Sequence, residues 1–126
     1  MTLIFDVRMP PSANSIWRSR RMPSGRLSVY RSASYQKWLK EAGQEWLRQK
    51  PRGHKTWEGQ FEVTIILWAK SERMDPDNRI KPFLDFAKSA GLIMDDSAKF
   101  CRSVTTRLGS SIDAPSGARL IINPIK

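Results

Sequence analysis

Alternating apolar and polar residues near the N-terminus predict that the chain opens with a β-strand. In "LIFDVRM", residues 3–9, every second side chain is apolar, and the run stops at Pro10 and Pro11, which cannot donate a backbone hydrogen bond to a neighbouring strand. "GQFEVTIILWAK" is rich in β-branched and aromatic residues, so it predicts a central strand over 61–69. "SVTTRL" and "ARLIINPI" predict two further strands, separated by the turn-like "GSSIDAPSG".

Two segments have the apolar spacing of amphipathic helices. The first, over 34–48, places five apolar residues on one helical face, namely Tyr35, Trp38, Leu39, Ala42 and Trp46. Either Ser32 or Ser34 can cap its N-terminus. The second, over 78–90, has the same spacing in Ile80, Phe83, Leu84 and Ala87. Gly91 stands where it can end that helix.

The order of these elements predicts an α+β fold, a mixed β-sheet with two main helices packed on it. Between the first strand and the first helix, residues 10–26 have the composition of a turn-rich loop, and "LSVYRS" predicts a short strand returning from it. A chain of 126 residues with 40% apolar residues is expected to form a single domain over 1–126. No apolar run approaches the ~20 residues that span a bilayer, and "MTLIFDVRMPPS" lacks the core of a signal peptide, so we expect a cytoplasmic protein without membrane association.

Charge is unevenly distributed along the chain, whose formal net charge is +10. Residues 1–55 contain twelve Lys and Arg against three acids, which favours a polyanionic partner because each neutralised phosphate releases counterions. "WRSRRMPSGR" is predicted to lie along a phosphate backbone, with contacts from Arg18, Arg20, Arg21 and Arg26. Trp17 is the candidate for a base or sugar contact. A charged surface that merely maintains solubility is the alternative interpretation.

Acidic residues are concentrated elsewhere, because six of the twelve acids lie within 72–96. Carboxylates held side by side repel one another unless a cation neutralises them. Oxygen ligands such as Asp75 and Asp77, at a strand end and a helix start, suit Mg²⁺. Such an ion polarises a phosphoryl oxygen and activates water, which is the chemistry of phosphodiester hydrolysis. Lys81, one turn beyond Asp77, is placed to contact the reacting phosphate.

Other interpretations of these residues remain open. Asp77 stands where a helix N-cap would stand, and Asp77, Lys81 and Asp85 have the spacing of an ordinary surface ladder of charges. An EF-hand is excluded, because Arg79 and Ile80 occupy the positions that require a ligand and a glycine. The chain has one Cys and one His, so it cannot build a disulfide or a Cys/His zinc site alone.

The acidic block carries a family resemblance. "DPDNRIKPFLD" followed by "GLIMDDS" resembles the RusA-type Holliday-junction resolvases of bacteria and their phages, and "PPSANSIWR" is similar to the stretch after that family's first strand. The resemblance implies that three aspartates bind Mg²⁺ and that a lysine assists cleavage. The matching positions are Asp75, Asp77, Asp96 and Lys81. Asp85 and Asp95 also match family acids, and we take Asp85 to be structural.

The same resemblance implies an activity. It predicts a Mg²⁺-dependent endodeoxyribonuclease, with Mn²⁺ as a possible substitute, that acts as a homodimer and nicks four-way DNA junctions symmetrically in recombination and repair. Met74 stands where the family often has Arg, with Arg73 one place earlier, and Ala13 stands where Asn is usual. These departures concern DNA contacts, for which Arg73 and Arg79 are further candidates. The alternatives are a non-catalytic phage or prophage DNA-binding accessory protein and a less selective Mg²⁺-dependent flap nuclease.

Overall fold

A computed structural model describes residues 2–68, 75–109 and 117–126. Within them the chain forms six strands: β1 Leu3–Val7, β2 Trp17–Arg21, β3 Leu27–Arg31, β4 Phe61–Leu67, β5 Cys101–Leu108 and β6 Ala118–Pro124. The same residues form the helices α1 Ala33–Gln49 and α2 Ile80–Ser89, and two short 3₁₀ turns, Ala13–Ser15 and Pro76–Arg79. Neither helix is both long enough and apolar enough to cross a membrane.

Four strands form the main sheet in the order β1-β6-β4-β5. β4 and β5 are parallel and the other two pairs are antiparallel, so the predicted mixed sheet is confirmed. Leu120 on β6 pairs with Phe5 on one side and with Ile65 on the other. Directly paired residues share a face of the sheet, and these three are fully buried, so this row defines the face that the helices cover.

Both predicted helices are present, and they pack on that face. Ser32 caps α1 by accepting a hydrogen bond from the backbone N–H of Tyr35 at 3.3 Å. The predicted apolar face of α1 is buried at Tyr35, Trp38, Ala42 and Trp46. The ring of Phe5 lies between the helices, with its centroid 5.7 Å from that of Trp46 and 5.4 Å from that of Phe86 in α2. The core therefore lies between one sheet face and the two helices.

The predicted loop over 10–26 is wrong in part, because it contains strand β2. This strand pairs with β3 in an antiparallel hairpin that is separate from the main sheet. Every residue of β2 is exposed, so neither of its faces had to be apolar and the alternation that indicates a half-buried strand is missing. The returning strand predicted at "LSVYRS" is confirmed as β3.

The start of the second helix also differs from the prediction. α2 begins at Ile80 rather than at 78, and Asp77 lies inside the preceding 3₁₀ turn rather than at the N-cap. Pro76 begins that turn with a φ angle that suits helical geometry. Pro82 then falls in the first turn of α2, where its missing N–H removes no helical hydrogen bond. Gly91, with φ +83°, follows the helix end as predicted.

Candidate active site and the basic hairpin

Asp75 and Asp77 lie between β4 and α2 in the chain. β4 ends at Leu67, and Asp75 occupies the N-cap position of the Pro76–Arg79 turn. This turn lies against β5, the edge strand beside β4, and against the Ala13–Ser15 turn that precedes the hairpin. Asp75 and Asp77 are both exposed there. Their carboxylates are therefore accessible to a ligand from solvent.

Two of the five described aspartates in this block pair with lysines of α2. Lys81 Nζ lies 3.3 Å from Asp85 Oδ1, and Lys88 Nζ lies 3.0 Å from Asp95 Oδ1. The hydrogen bond from Lys88, followed by those from the two residues after Asp95, lowers the pKa of Asp95 to about 2. Asp95 is thus a carboxylate with a cation already beside it.

The other three aspartates, Asp75, Asp77 and Asp96, form no salt bridge with any residue that the structure describes. The carboxylate of Asp75 accepts a long hydrogen bond, 3.4 Å, from Asn78 Nδ2. Asp96 is half-buried, and its charge, after burial, is a cause of the raised pKa of the Cys101 thiol, which places it near the start of β5. The carboxylates that no lysine pairs with are the three that the sequence predicts as metal ligands.

These residues fit Mg²⁺ by the type of donor they offer. Mg²⁺ prefers oxygen, and it commonly takes one or two protein carboxylates and completes its coordination with water and phosphate. Asp75 and Asp77 offer two such carboxylates on one turn. Over 2–68, 75–109 and 117–126, no three His, Cys, Asp or Glu side chains are grouped closely enough to hold an ion by themselves. The structure therefore does not gather Asp96 with the other two.

Arg79, predicted to contact DNA, has a structural contact. Its Nη1 donates a hydrogen bond to the backbone carbonyl of Pro10, and burial lowers the pKa of its guanidinium. Arg79 thereby links the turn that carries Asp75 and Asp77, which we call the acidic turn, to the prolines after β1. Local sequence patterns do not indicate this link, because the residues are far apart in the chain. Its contact with DNA stays a prediction. Arg73 lies outside the described residues.

The predicted phosphate contacts lie on a largely exposed surface, residues 17–31, which we call the basic hairpin. Its turn is closed by a hydrogen bond from Met22 N–H to Arg26 O at 2.7 Å, and Gly25 adopts φ +87° there. The four predicted arginines are exposed: Arg18, Arg20, Arg21 and Arg26. None of them forms a salt bridge with a described carboxylate. Their charges are available to an external anion.

The base of the basic hairpin is anchored beside the acidic turn. Ser32, only 3% exposed, donates from N–H to Ile16 O at 2.7 Å and from Oγ to Ser15 O at 2.5 Å. Ile16 is itself buried, and the Ala13–Ser15 turn just before it packs against the Pro76–Arg79 turn and α2. The base of the surface with unpaired guanidinium groups is therefore next to the turn that carries Asp75 and Asp77.

A small α+β domain that places oxygen donors beside a surface of unpaired arginines has the features of an enzyme acting on nucleic acid. The family model for the endodeoxyribonuclease RusA matches residues 8–112, a span that includes the basic hairpin and the whole acidic block. The chain belongs to the RusA endodeoxyribonuclease family, a family of Holliday-junction resolvases that act on branched DNA, so the predicted resemblance is confirmed. No curated protein matches this chain.

Proposed function

We propose that this chain is a Mg²⁺-dependent endodeoxyribonuclease that resolves four-way DNA junctions by paired symmetric nicks in recombination and repair. Membership of the RusA family supports the nuclease activity and the branched substrate. One observation supports the assignment of the site: the described aspartates outside salt bridges are those predicted to hold the metal, namely Asp75, Asp77 and Asp96. We further propose that it acts in the cytoplasm, on nucleoid or phage DNA.

In this proposal Asp75 and Asp77 hold Mg²⁺, or Mn²⁺ in its place, and Asp96 is the third ligand, although the structure does not group it with the other two. A bound divalent cation neutralises the charge that develops on the phosphate and lowers the pKa of the water that it binds. Lys81 exchanges its present partner, Asp85, for the reacting phosphate. Because the Lys81 side chain is 59% exposed, this ion pair is a surface pair that contributes about 0–1 kcal/mol. Exchanging it for a contact with phosphate therefore costs little free energy.

We propose that the active form is a homodimer. A four-way junction has approximate two-fold symmetry, and a two-fold protein presents the same site to two strands of such a substrate. Each protomer then uses its basic hairpin to neutralise phosphates beside its own acidic turn. Paired nicks follow from the presence of two identical sites on one junction.

The test is cleavage of synthetic four-way junctions with Mg²⁺ or with EDTA. The parent protein should make symmetric nicks with Mg²⁺ alone. Asp75→Asn should bind the junction at least as tightly, because one repelling charge is removed, and should not cut it. Asp85→Asn is the matched control and should still cut, because Asp85 is taken to be structural. Cutting by Asp75→Asn at the parent rate would exclude Asp75 as a ligand.

The same assay separates the rival functions. Binding without cleavage under every metal condition would identify a non-catalytic DNA-binding accessory protein. Equal cutting of flaps and four-way junctions would identify a less selective Mg²⁺-dependent nuclease. Preferential cutting of the junction over flap and linear duplex is the result that the proposal expects.

A further inference from the structure

The basic hairpin has two faces of different chemistry. Residues directly opposed in an antiparallel pair lie on the same face. Trp17 opposes Arg31, Ser19 opposes Val29 and Arg21 opposes Leu27. We call this the apolar face because it carries Trp17, Leu27 and Val29, and it also carries Arg21 and Arg31 at its two ends. Arg18 opposes Tyr30 and Arg20 opposes Ser28, which defines the arginine face, Arg18, Arg20 and Tyr30.

The apolar face is uncovered by any described part of the chain. Leu27 is 65% exposed, Val29 is 66% exposed and Trp17 is 47% exposed. The guanidinium carbon of Arg31 lies 6.0 Å from the centre of the Trp17 ring, a distance at which a cation is attracted to an aromatic face. A two-stranded hairpin alone is at best marginally stable in water, and adjacent exposed apolar residues mark a binding surface. This face has the properties of one that a partner covers.

Charge selects the class of that partner. Residues 7–40, which contain the entire basic hairpin, include eight Lys and Arg and no acid. A second copy of the chain docking by this face would bring the same positive charges against it, and like charges across an interface are unfavourable. A nucleic acid is favoured, because phosphates complement the arginine face while the flat surfaces of bases complement the apolar face.

The form of nucleic acid follows from the accessibility of base surfaces. In a continuous duplex each base is covered by its neighbours, whereas a branch point interrupts the stack and exposes base surfaces to a protein. An exposed base can stack on an aromatic side chain such as Trp17 and cover the apolar side chains beside it. The hairpin base also lies beside the acidic turn, through the packing of Ala13–Ser15 against Pro76–Arg79. A branch point on the hairpin therefore brings its adjacent phosphates towards Asp75.

We propose that the apolar face packs against unstacked bases at the DNA branch point while Arg18 and Arg20 hold the flanking phosphates. The basic hairpin thereby provides the preference for branched over linear DNA. The inference rests on the proposed function for its substrate, branched DNA, and requires no cleavage.

The test compares two double variants, one for each face, with the parent. Binding to a four-way junction and to a linear duplex of the same sequence is measured by fluorescence anisotropy in EDTA over a series of salt concentrations. Leu27→Ser with Val29→Ser should weaken junction binding by about tenfold and leave duplex binding unchanged, as expected from the loss of apolar area that the unstacked bases cover. Arg18→Gln with Arg20→Gln should weaken binding to both DNAs and reduce the salt slope by about 2.

A second readout reports on the bases themselves. With 2-aminopurine at the branch point, the parent should change its fluorescence on binding, and the Leu27/Val29 double variant should not. The single variant Val29→Thr keeps the β-branched shape, so it supplies the same comparison with a smaller effect if the double variant unfolds. Circular dichroism identifies an unfolded variant.

Three results would overturn the inference. The first is equal weakening of junction and duplex binding by the Leu27/Val29 variant, and the second is no weakening of either. The third is dissociation of a parent dimer by this variant in sedimentation experiments, which would identify the apolar face as a subunit interface. Because binding is measured in EDTA, failure of this inference is distinct from failure of the proposed nuclease activity, which is read by cleavage in Mg²⁺.

Discussion

The Nζ atom of Lys88 lies 3.0 Å from Oδ1 of Asp95, so one carboxylate of the adjacent pair Asp95 and Asp96 has a cationic partner within the chain. Asp96, its neighbour, forms no salt bridge with the described residues. The two aspartates have the same side chain, but only Asp96 has a carboxylate that no described cation pairs with. The difference supports the proposal that Asp96, rather than Asp95, is a metal ligand.

This assignment predicts unequal effects at the two positions. Asp96→Asn should lower the single-turnover rate of junction cleavage in Mg²⁺ by at least about 10²-fold, as the loss of a strong electrostatic contribution does. Asp95→Asn should lower it by less than about tenfold, because its main contact, with Lys88, is exposed and weak. The reverse order of the two effects would contradict the assignment.

Lys81 and Lys88 form a matched pair on α2, since each forms an ion pair with one aspartate. Lys81→Met should lower the rate of junction cleavage by roughly 10²-fold, because its ammonium group is proposed to stabilise charge on the reacting phosphate. Lys88→Met should retain most of the activity. Each substitution should leave the free energy of unfolding nearly unchanged, because both ion pairs lie at the surface. Similar rates for the two variants would remove Lys81 from the site.

Ser32 is predicted to stabilise both the start of α1 and the base of the basic hairpin. Its Oγ accepts from Tyr35 N–H and donates to Ser15 O. Ser32→Ala should lower the free energy of unfolding in urea by about 1–3 kcal/mol, because it removes a helix cap and leaves a partly buried carbonyl without its partner. Ser34→Ala, at an exposed position two residues later, is the control and should have little effect. Equal losses would show that Ser32 has no special role.

Gln49 is predicted to stabilise the edge strand β1. Its side-chain amide accepts from Asp6 N–H at 2.9 Å and donates to Asp6 O at 2.6 Å, so it pairs with the backbone as a neighbouring strand would. Gln49→Ala should lower the free energy of unfolding by about 1–3 kcal/mol, because two backbone groups lose their partners. The control Gln44→Ala changes an exposed residue of the same helix and should stay within about 0.5 kcal/mol.

The helices and strands that can be predicted from the sequence are those that bury one of their faces. α1 follows from apolar residues such as Trp38 and Trp46 at helical spacing, and β4 follows from its run of β-branched residues, because burial against a single core demands those patterns. β2 has no buried side, so its three arginines and its serine have no pattern from which a strand can be predicted. The local spacing of the aspartates also predicts that the site offers carboxylate oxygens as ligands.

The arrangement of the candidate site is less predictable than its composition. Which aspartate pairs with which lysine depends on how the segment after Gly91 returns beside α2, as the contact between Lys88 and Asp95 shows. The contact of Arg79 with the carbonyl of Pro10 joins positions 69 residues apart. Neither contact has a local signature, because both arise from packing between elements distant in sequence.

In the proposed site a divalent cation binds the unpaired aspartates beside the DNA. Mn²⁺ is titrated into the protein bound to nicked junction DNA, and electron paramagnetic resonance of the free ion reports how much Mn²⁺ has bound. This measurement tests the proposed metal site directly. The parent complex should bind at least about one more ion per chain than the DNA alone binds, and Asp75→Asn should lose that ion. Equal Mn²⁺ binding by the parent complex, the Asp75→Asn complex and free DNA would contradict the account.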